Sequence, residues 1–483
     1  MRRLTIQRTS LIIIFVLIFT MAIRVPFDMD TWWHLRSGEY ILDNGTIMGD
    51  PFSHTANGET WINHSWGSQI VMSLIWQGAG NVGLALYTAL LATGGMALLY
   101  QVSAGNVYLR GFILILGSAT AALFWSARPQ MLSFFFTTVI LWLVYSYKRH
   151  DRDYLWAIIP LMWVWANLHA GWAIGYLFLI AFIVGEVFNH VFGADDGYQM
   201  SWSGWRKLTA FTIISIPFLA ISPYDIDNLL VPFNTVGIEP LQAFIQEWQP
   251  PNFQARETYP FIATMMLCFF AFWISKIKFD WSSFFLLIGT LFLALSYSRN
   301  IAVFAVVAVP ILSYHLDNVL TERGYVLHPR ERVPQRMAMI NLALLIVVIS
   351  GALLYTIGLL LPDNVDEVQR QHLPIGAVAY LNEHQLSGEM FNSYNWGGYL
   401  MFATEDYPVF VDGRTDLYGD FVFDYAQIYL NQVDDLAIEL ATYDIGFVIV
   451  EANAPIIGGL DNLDGWSEVY RDDLAVIWSN NNE

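Results

Sequence analysis

Long apolar runs separated by short polar clusters recur along most of this chain, and that pattern constrains the fold more than any single motif. The runs cover 11–25, 82–102, 109–125, 131–147, 154–166, 172–191, 208–221, 259–274, 281–297, 301–314 and 339–361. A soluble chain would carry roughly a quarter charged residues; this one carries 13%, against 55% hydrophobic, with a mean hydropathy of +0.44. The expected class is a mainly α polytopic membrane protein. Several runs fall short of the roughly 20 residues that cross a bilayer unaided, so their ends are expected to extend into flanking polar residues.

Eleven spans with the N-terminus inside make the charge distribution a test, because Lys and Arg collect on the cytoplasmic side. That layout places fifteen of the 23 basic residues inside, including every lysine: Arg2, Arg3, Arg8, Arg110, Lys148, Arg149, Arg152, Arg206, Lys207, Lys276, Lys278, Arg323, Arg330, Arg332 and Arg336. The other eight are isolated arginines, among them Arg24, Arg128, Arg299 and Arg414. Arg2, Arg3 and Arg8 precede an apolar run with no small-residue cleavage site after it, which reads as an uncleaved first span. A twelfth span over Trp61 to Gln77 would scramble the charge pattern, so that stretch is read as a helix in or near the outer interface. The expected organisation is a multispan domain over 1–361, with a first external loop at 26–80, and an extracytoplasmic α/β domain over 362–483. The net charge of −19 lies mostly in those external segments, and no nucleic-acid partner is expected. Cys268 is the one cysteine, so no intrachain disulfide is possible, and no Cys/His cluster has zinc-site spacing.

Immediately after the first span comes Asp28-Met29-Asp30-Thr31-Trp32-Trp33-His34-Leu35. Asp30 reads as the N-cap of a helix beginning near Thr31 and ending at Asn44-Gly45. Asp28 then has no capping role and is the better candidate for chemistry. In an extended segment the two carboxylates would project to one side, and Mg or Mn could bind there; any metal would fall to Asp28 and Asp30. His34 joins them as a catalytic candidate. Trp32 and Trp33 offer flat faces to sugar rings, although anchoring at the membrane interface explains them equally well. Asn57-Gly58 signals a hairpin turn that would bring His54 close to His64.

Two of the outer arginines sit in tight connections, Arg128 before Pro129-Gln130 and Arg299 before Asn300. Such a guanidinium needs a counter-charge or a headgroup, and its fork suits a phosphate or pyrophosphate. Asn167-Leu168-His169 interrupts the apolar pattern on the same side, either lining the same cavity or making a turn. The loop 222–258 carries Pro223-Tyr224 and several acids. In the C-terminal part, 374–385 and 422–440 read as helices, 388–392 and 408–412 as short strands, 446–451 as a buried strand and 474–478 as an edge strand. Its loops contain Asn395-Trp396-Gly397-Gly398-Tyr399 and Asp412-Gly413-Arg414, read either as an acceptor-binding cover or, for Asp412 and Arg414, as a structural ion pair.

An acidic pair beyond the first span, interfacial helices, many spans and a C-terminal soluble domain together resemble the GT-C superfamily of integral-membrane glycosyltransferases. The block Asp-x-Asp-Thr-Trp-Trp-His-Leu-Arg-x-Gly-Glu resembles a bacterial branch of glycosyltransferase-like proteins. That branch also shares Asp50-Pro51-Phe52-Ser53, Arg128-Pro129-Gln130, Asn167-Leu168-His169, Arg299-Asn300-Ile301 and the two C-terminal blocks. The resemblance implies a bacterial inner-membrane protein taking a sugar from a polyprenyl-phosphate- or pyrophosphate-linked donor and passing it to a lipid, glycan or protein acceptor outside the cytoplasm. It implies that Asp28 or Asp30 is the first-loop acid acting as base or metal ligand. This chain lacks the second-loop acid of several GT-C enzymes, having Arg128-Pro129-Gln130 there. The alternatives are a transporter or flippase of lipid-linked glycans, which would show repeat symmetry and paired broken helices, and a non-catalytic membrane protein.

Overall fold

The computed structural model describes residues 4–193, 199–278, 280–327 and 332–481, so Arg2, Arg3 and Arg330 of the charge layout lie outside the described residues. In chain order the helices are α1 (Ile6–Ala22), α2 (Met29–Asn44), α3 (Trp66–Val102), α4 (Val107–Ala121), α5 (Gln130–His150), α6 (Ile158–Leu168) and α7 (Trp172–Phe192). There follow α8 (Trp202–Ser215), α9 (Asp227–Val236), α10 (Glu239–Phe244), α11 (Tyr259–Ile274), α12 (Trp281–Ser296), α13 (Ile301–Glu322) and α14 (Gln335–Leu359). The C-terminal part opens with α15 (Pro362–Arg370), α16 (Ile375–His384) and α17 (Tyr394–Ala403), and its strands are β1 (Glu389–Asn392), β2 (Ile445–Glu451), β3 (Trp466–Arg471) and β4 (Ala475–Asn480).

Among the described residues, seven helices are long and apolar enough to cross a membrane, and Ile6–Ala22, Leu155–Leu168 and Trp281–Ser296 are shorter apolar helices. The chain is a multi-pass membrane protein. The expected span at 208–221 is instead a 14-residue helix, α8, continued by a 3-10 turn over Ile216–Ala220. Pro217 sits in that turn, where it has no N–H to continue the helical ladder.

The chain divides into two compact units. The first comprises Met1–Arg24, Ala85–Ser222 and Gln246–Leu359. In it α13 packs against α4, α11 and α12, while α1 packs against α4 and α14. The window of α13 is 67% buried and that of α14 only 17%, which makes α13 the core helix and α14 a peripheral one. Lys148, placed by the charge layout in a cytoplasmic loop, is buried: its Nζ lies 2.6 Å from Glu186 and 2.7 Å from Asp280. That triad ties α5, α7 and the start of α12 together. Asp280 also accepts from Asn189 and caps α12 through the N–H groups of Ser282 and Ser283. Burial alone would raise the Asp280 pKa, but Lys148 and these donors hold it well below the usual carboxylate range.

The second unit comprises Val25–Leu84, Pro223–Ile245 and Leu360–Glu483. It is larger than the 362–483 domain expected from sequence, because the first loop supplies part of its core. Trp33, Ile41, Ile47, Phe52 and Trp61 pack in one cluster with Trp396, Leu400, Val409, Phe447 and Ile477. The sheet has the order β1-β2-β4-β3, with β1 parallel to β2 and the other pairs antiparallel. The segment 474–478, expected at an edge, is the interior strand β4; its first four residues are buried, the pattern of a strand covered on both faces. The expected strand at 408–412 makes only an isolated parallel bridge, Ser53 to Val409. The expected helix 422–440 is two helices, Phe421–Tyr429 and Leu436–Thr442, parted where Asn431 takes φ 54°.

Helix α3 contains a break at Gly80 (φ 51°, ψ −139°), a conformation that favours glycine. The stretch before it, read from sequence as a helix separate from the span at 82–102, is therefore a helix of its own within the second unit.

Candidate active site

The acidic block folds differently from the sequence reading. Helix α2 starts two residues earlier than expected, at Met29, and its N-cap is Asp28, whose carboxylate accepts the Asp30 N–H at 3.1 Å. The helix ends as anticipated, with Gly45 as C-cap. Asp30 thus lies in the first helical turn, and the two acids do not share the face of an extended strand. Both positions of an Asp-x-Asp pair satisfy the preference for capping side chains, which is why sequence alone chose the wrong one.

Asp30 is held by its surroundings. Trp33 Nε1 donates to Asp30 Oδ1 at 3.2 Å. Helix α17 packs closely on α2; a Cβ on Gly398 would sit 2.7 Å from Met29 O and 3.0 Å from Trp33 Cδ1. A side chain at Gly413 would collide with Asp30 Oδ1, and one at Gly397 with the Val411 carbonyl. Gly398 is therefore where α17 closes onto the start of α2, Gly397 where it closes onto the Val411-Asp412 backbone, and Gly413 where that loop closes onto Asp30. The first block, read from sequence as a loop, lies in α17; it meets the Asp412-Gly413 loop, which packs against the second acid of the pair. Tyr394 stands beside the same acids, its hydroxyl 2.5 Å from Thr415 Oγ1; burial first, and then Asp30, Asp412 and Asp416, push its phenol far up. It is a neutral hydrogen-bonding group that sequence reasoning missed.

The other first-loop candidates are structural. His34 is 5% exposed, its Nδ1 within 3.2 Å of Gln69 Nε2 and its ring against Trp33. Trp32 and Trp33 are buried rather than presented to sugar or lipid: Trp32 packs edge-on against Trp76 and Tyr399. Trp396 is buried in the core, while Asn395 is exposed. Tyr224 is buried, and its hydroxyl donates to Ile47 O at 2.7 Å. The histidines of the expected hairpin have different partners, His54 Nε2 with Met390 O and His64 with Asp416. The hairpin itself is wider than two residues, since the antiparallel bridge joins Gly49 to Thr60.

Asp412 and Arg414 form the ion pair that sequence offered as one reading. Arg414 is 0% exposed; its Nε and Nη2 reach the two Asp412 oxygens at 2.8 and 2.6 Å, and Nη1 donates to Asp50. The guanidinium lies over Trp61, 4.9 Å from the ring centre, and Tyr418 donates to Asp412 at 2.8 Å. Burial opposes the Arg414 charge, but the two acids raise its pKa well above the ordinary value. Complete burial and bonding to two carboxylates correct its assignment as an acceptor-binding residue.

In the helical unit, Arg128 and Arg299 converge on one acid of the loop 222–258, a pairing that the sequence did not reveal. Arg128 Nη1 and Nη2 donate to Glu247 at 3.3 and 3.4 Å, and Arg299 Nη1 lies 3.6 Å from the same carboxylate. Arg299 also stacks over Trp248, 4.5 Å from its ring centre. Burial would raise the Glu247 pKa, but the two guanidiniums hold it below the usual range. Asn167 and His169 build the turn between α6 and α7: Asn167 donates to Trp163 O and Ile221 O, and His169 Nδ1 accepts the Gly171 N–H at 3.0 Å. Because Nδ1 is an acceptor there, the Ser133 hydroxyl 2.8 Å away donates to it.

Among the described residues no three His, Cys, Asp or Glu side chains gather as a metal site.

No protein-family model matches the chain, and no curated protein is significantly similar to it in sequence. Solved structures are similar in fold. The oligosaccharyltransferase of Archaeoglobus fulgidus, tethered to an acceptor peptide, matches with a TM-score of 0.55 at 11% identity, over 92% of this chain and 69% of that one. The same archaeal enzyme, AglB, in complex with an inhibitory peptide and a dolichol-phosphate matches with a TM-score of 0.53 at 10% identity and the same coverage. ArnT from Cupriavidus metallidurans in the apo state matches with a TM-score of 0.50 at 13% identity, over 97% of both chains. The chain has the GT-C fold.

Proposed function

We propose that this protein is a membrane glycosyltransferase that moves a sugar from a polyprenyl-phosphate-linked donor to a lipid, glycan or protein acceptor on the extracytoplasmic face of a bacterial inner membrane. The observation that carries this reading is Asp30. It is a carboxylate at the start of α2, clamped by Trp33 and closed over by Gly413, in a fold shared with an enzyme whose structure holds a dolichol-phosphate. The Asp-x-Asp-Thr-Trp-Trp-His-Leu-Arg-x-Gly-Glu block supports membership of the bacterial glycosyltransferase-like branch.

In this reading an acceptor oxygen attacks the anomeric carbon of the donor sugar. The new C–O bond forms as the bond to the phosphate oxygen breaks; the lipid phosphate leaves with that electron pair, and the acceptor proton passes to Asp30. Within the helical unit, Arg128 and Arg299 carry forks suited to phosphate oxygens, on which a lipid phosphate would replace the Glu247 carboxylate. Asp28 acts as the helix cap. If a divalent cation such as Mg or Mn binds, Asp28 and Asp30 are the residues that would hold it.

The test compares lipid-linked sugars and surface glycans by mass spectrometry in cells with the gene deleted and then restored as wild type, Asp28→Asn or Asp30→Asn. Asp30→Asn should lower transfer by about two orders of magnitude or more, as expected for a lost general base. Asp28→Asn should be mild, because Asn caps a helix about as well as Asp. Unimpaired transfer in Asp30→Asn overturns the assignment; equal loss in both variants together with chelator sensitivity replaces it by a metal site. A reporter fused at the C-terminus, active only when exported, checks the proposed orientation.

A further inference from the structure

Arg24 follows α1 by two residues and is among the isolated arginines on the lysine-free side of the charge layout. Its Nη1 donates to the Trp125 carbonyl at 3.3 Å, and among the described residues no carboxylate pairs with it. A guanidinium has five donors, and one left without a counter-ion at a bilayer boundary is costly.

The neighbouring helices supply a place for such a counter-ion. Helices α1 and α14 touch near their starts, where Asn341 Nδ2 donates to Leu4 O at 2.8 Å. The buried residues of α14, Ala338, Asn341 and Leu345, all lie in its first half. Beyond them the two helices leave a cavity of about 490 Å³, walled by Leu17, Met21, Val348, Gly351 and Ala352, with Arg24 and Tyr355 toward the far end.

We propose that this groove binds one anionic glycerophospholipid of the surrounding bilayer, an acyl chain between α1 and α14 and the phosphate on Arg24. Three features select that occupant. The charge at the end of the groove is a fork suited to phosphate oxygens. The walls are apolar, and α14 is the least buried of the long apolar helices, so the occupant comes from the bilayer. The length also fits: about 9 Å of helical rise from Val16 to Ala22 and about 6 Å of extended chain to Arg24 come close to the roughly 15 Å of hydrocarbon in one leaflet. An acyl chain headed at Arg24 fills that depth, whereas a long polyprenyl chain would overrun it. The binding is independent of glycosyl transfer.

Full-length protein in nanodiscs of phosphatidylcholine with added phosphatidylglycerol, ejected into a native mass spectrometer, reads the retained lipid directly. Wild type should keep one phosphatidylglycerol. Arg24→Gln should lower its retention about tenfold or more, the worth of a charge-assisted hydrogen bond. Gly351→Leu, which keeps Arg24 but places a side chain where a Cβ meets open space, should lower it as well. Retention of phosphatidylglycerol at the wild-type level in both variants, each melting as wild type does, overturns the proposal. So does a polyprenyl phosphate from the producing cells held in its place.

Discussion

In the unit that holds the sheet, one guanidinium, Arg414, is shared by two carboxylates; in the helical unit, two guanidiniums, Arg128 and Arg299, share one carboxylate, Glu247. The first arrangement is sealed: every partner is 0% exposed, and the Asp412 contacts are 2.6–2.8 Å. The second is looser, with contacts of 3.3–3.6 Å and side chains 16–27% exposed. Chemistry of the same kind thus serves opposite ends. A cation surrounded by acids and aromatic rings fixes chain segments in place, while an acid between two half-buried cations is a counter-ion that a phosphate could replace.

The sharpest way to break this comparison is to remove the sealed cation. Arg414→Ala should leave Asp50 and Asp412 buried without their partner, and breaking a buried pair costs about 3–5 kcal/mol. The expected outcome is loss of folded protein, read by detergent-extracted yield and thermal melting. A folded but inactive Arg414→Ala would return this residue to acceptor binding. The looser site should respond the other way. Arg128→Ala should melt nearly as wild type does but bind polyprenyl phosphate about tenfold or more weakly, since a hydrogen bond to a charged group is worth about 1.5–3 kcal/mol. Isothermal titration with the lipid phosphate measures it.

A smaller effect of opposite sign sharpens the same point. If Glu247 competes with the phosphate, Glu247→Gln should tighten that binding roughly two- to fivefold, the range of a partly exposed ion pair. Weaker binding would mean that Glu247 helps to build the site instead. The smallest effect is on pH. The Glu247 pKa lies below its ordinary value, so the stability its ion pairs contribute is present above the unfolded carboxylate range and is lost as pH falls through the depressed folded value. Hydrogen exchange at Gln246–Trp248 should therefore stay slow through mildly acidic pH and rise only below the usual glutamate range.

Features set by local periodicity were legible in the sequence. The apolar runs became helices, 374–385 became α16, and Asn44-Gly45 ended α2. The close packing around Asp30 was half legible, since the glycines of the two C-terminal blocks were visible but their target was not. What could not be read were pairings between distant segments. Glu247 is 119 residues from Arg128, and nothing in the neighbourhood of either announces the other. The acidic pair failed for a different reason: either aspartate can cap a helix, and the choice depends on where packing against α17 starts the turn.

Asp50 and Arg414 are 364 residues apart, and that separation has a consequence in time. A ribosome adding about 5–20 residues per second exposes Asp50 roughly 20–70 s before it makes the guanidinium that neutralises it. Throughout that interval the first loop carries an acid and several aromatic side chains whose partners have yet to be translated. The second unit can close only when the chain is nearly complete, so a chain terminated before Arg414 should remain open there, with an unpaired acid and bare tryptophans for proteases to find.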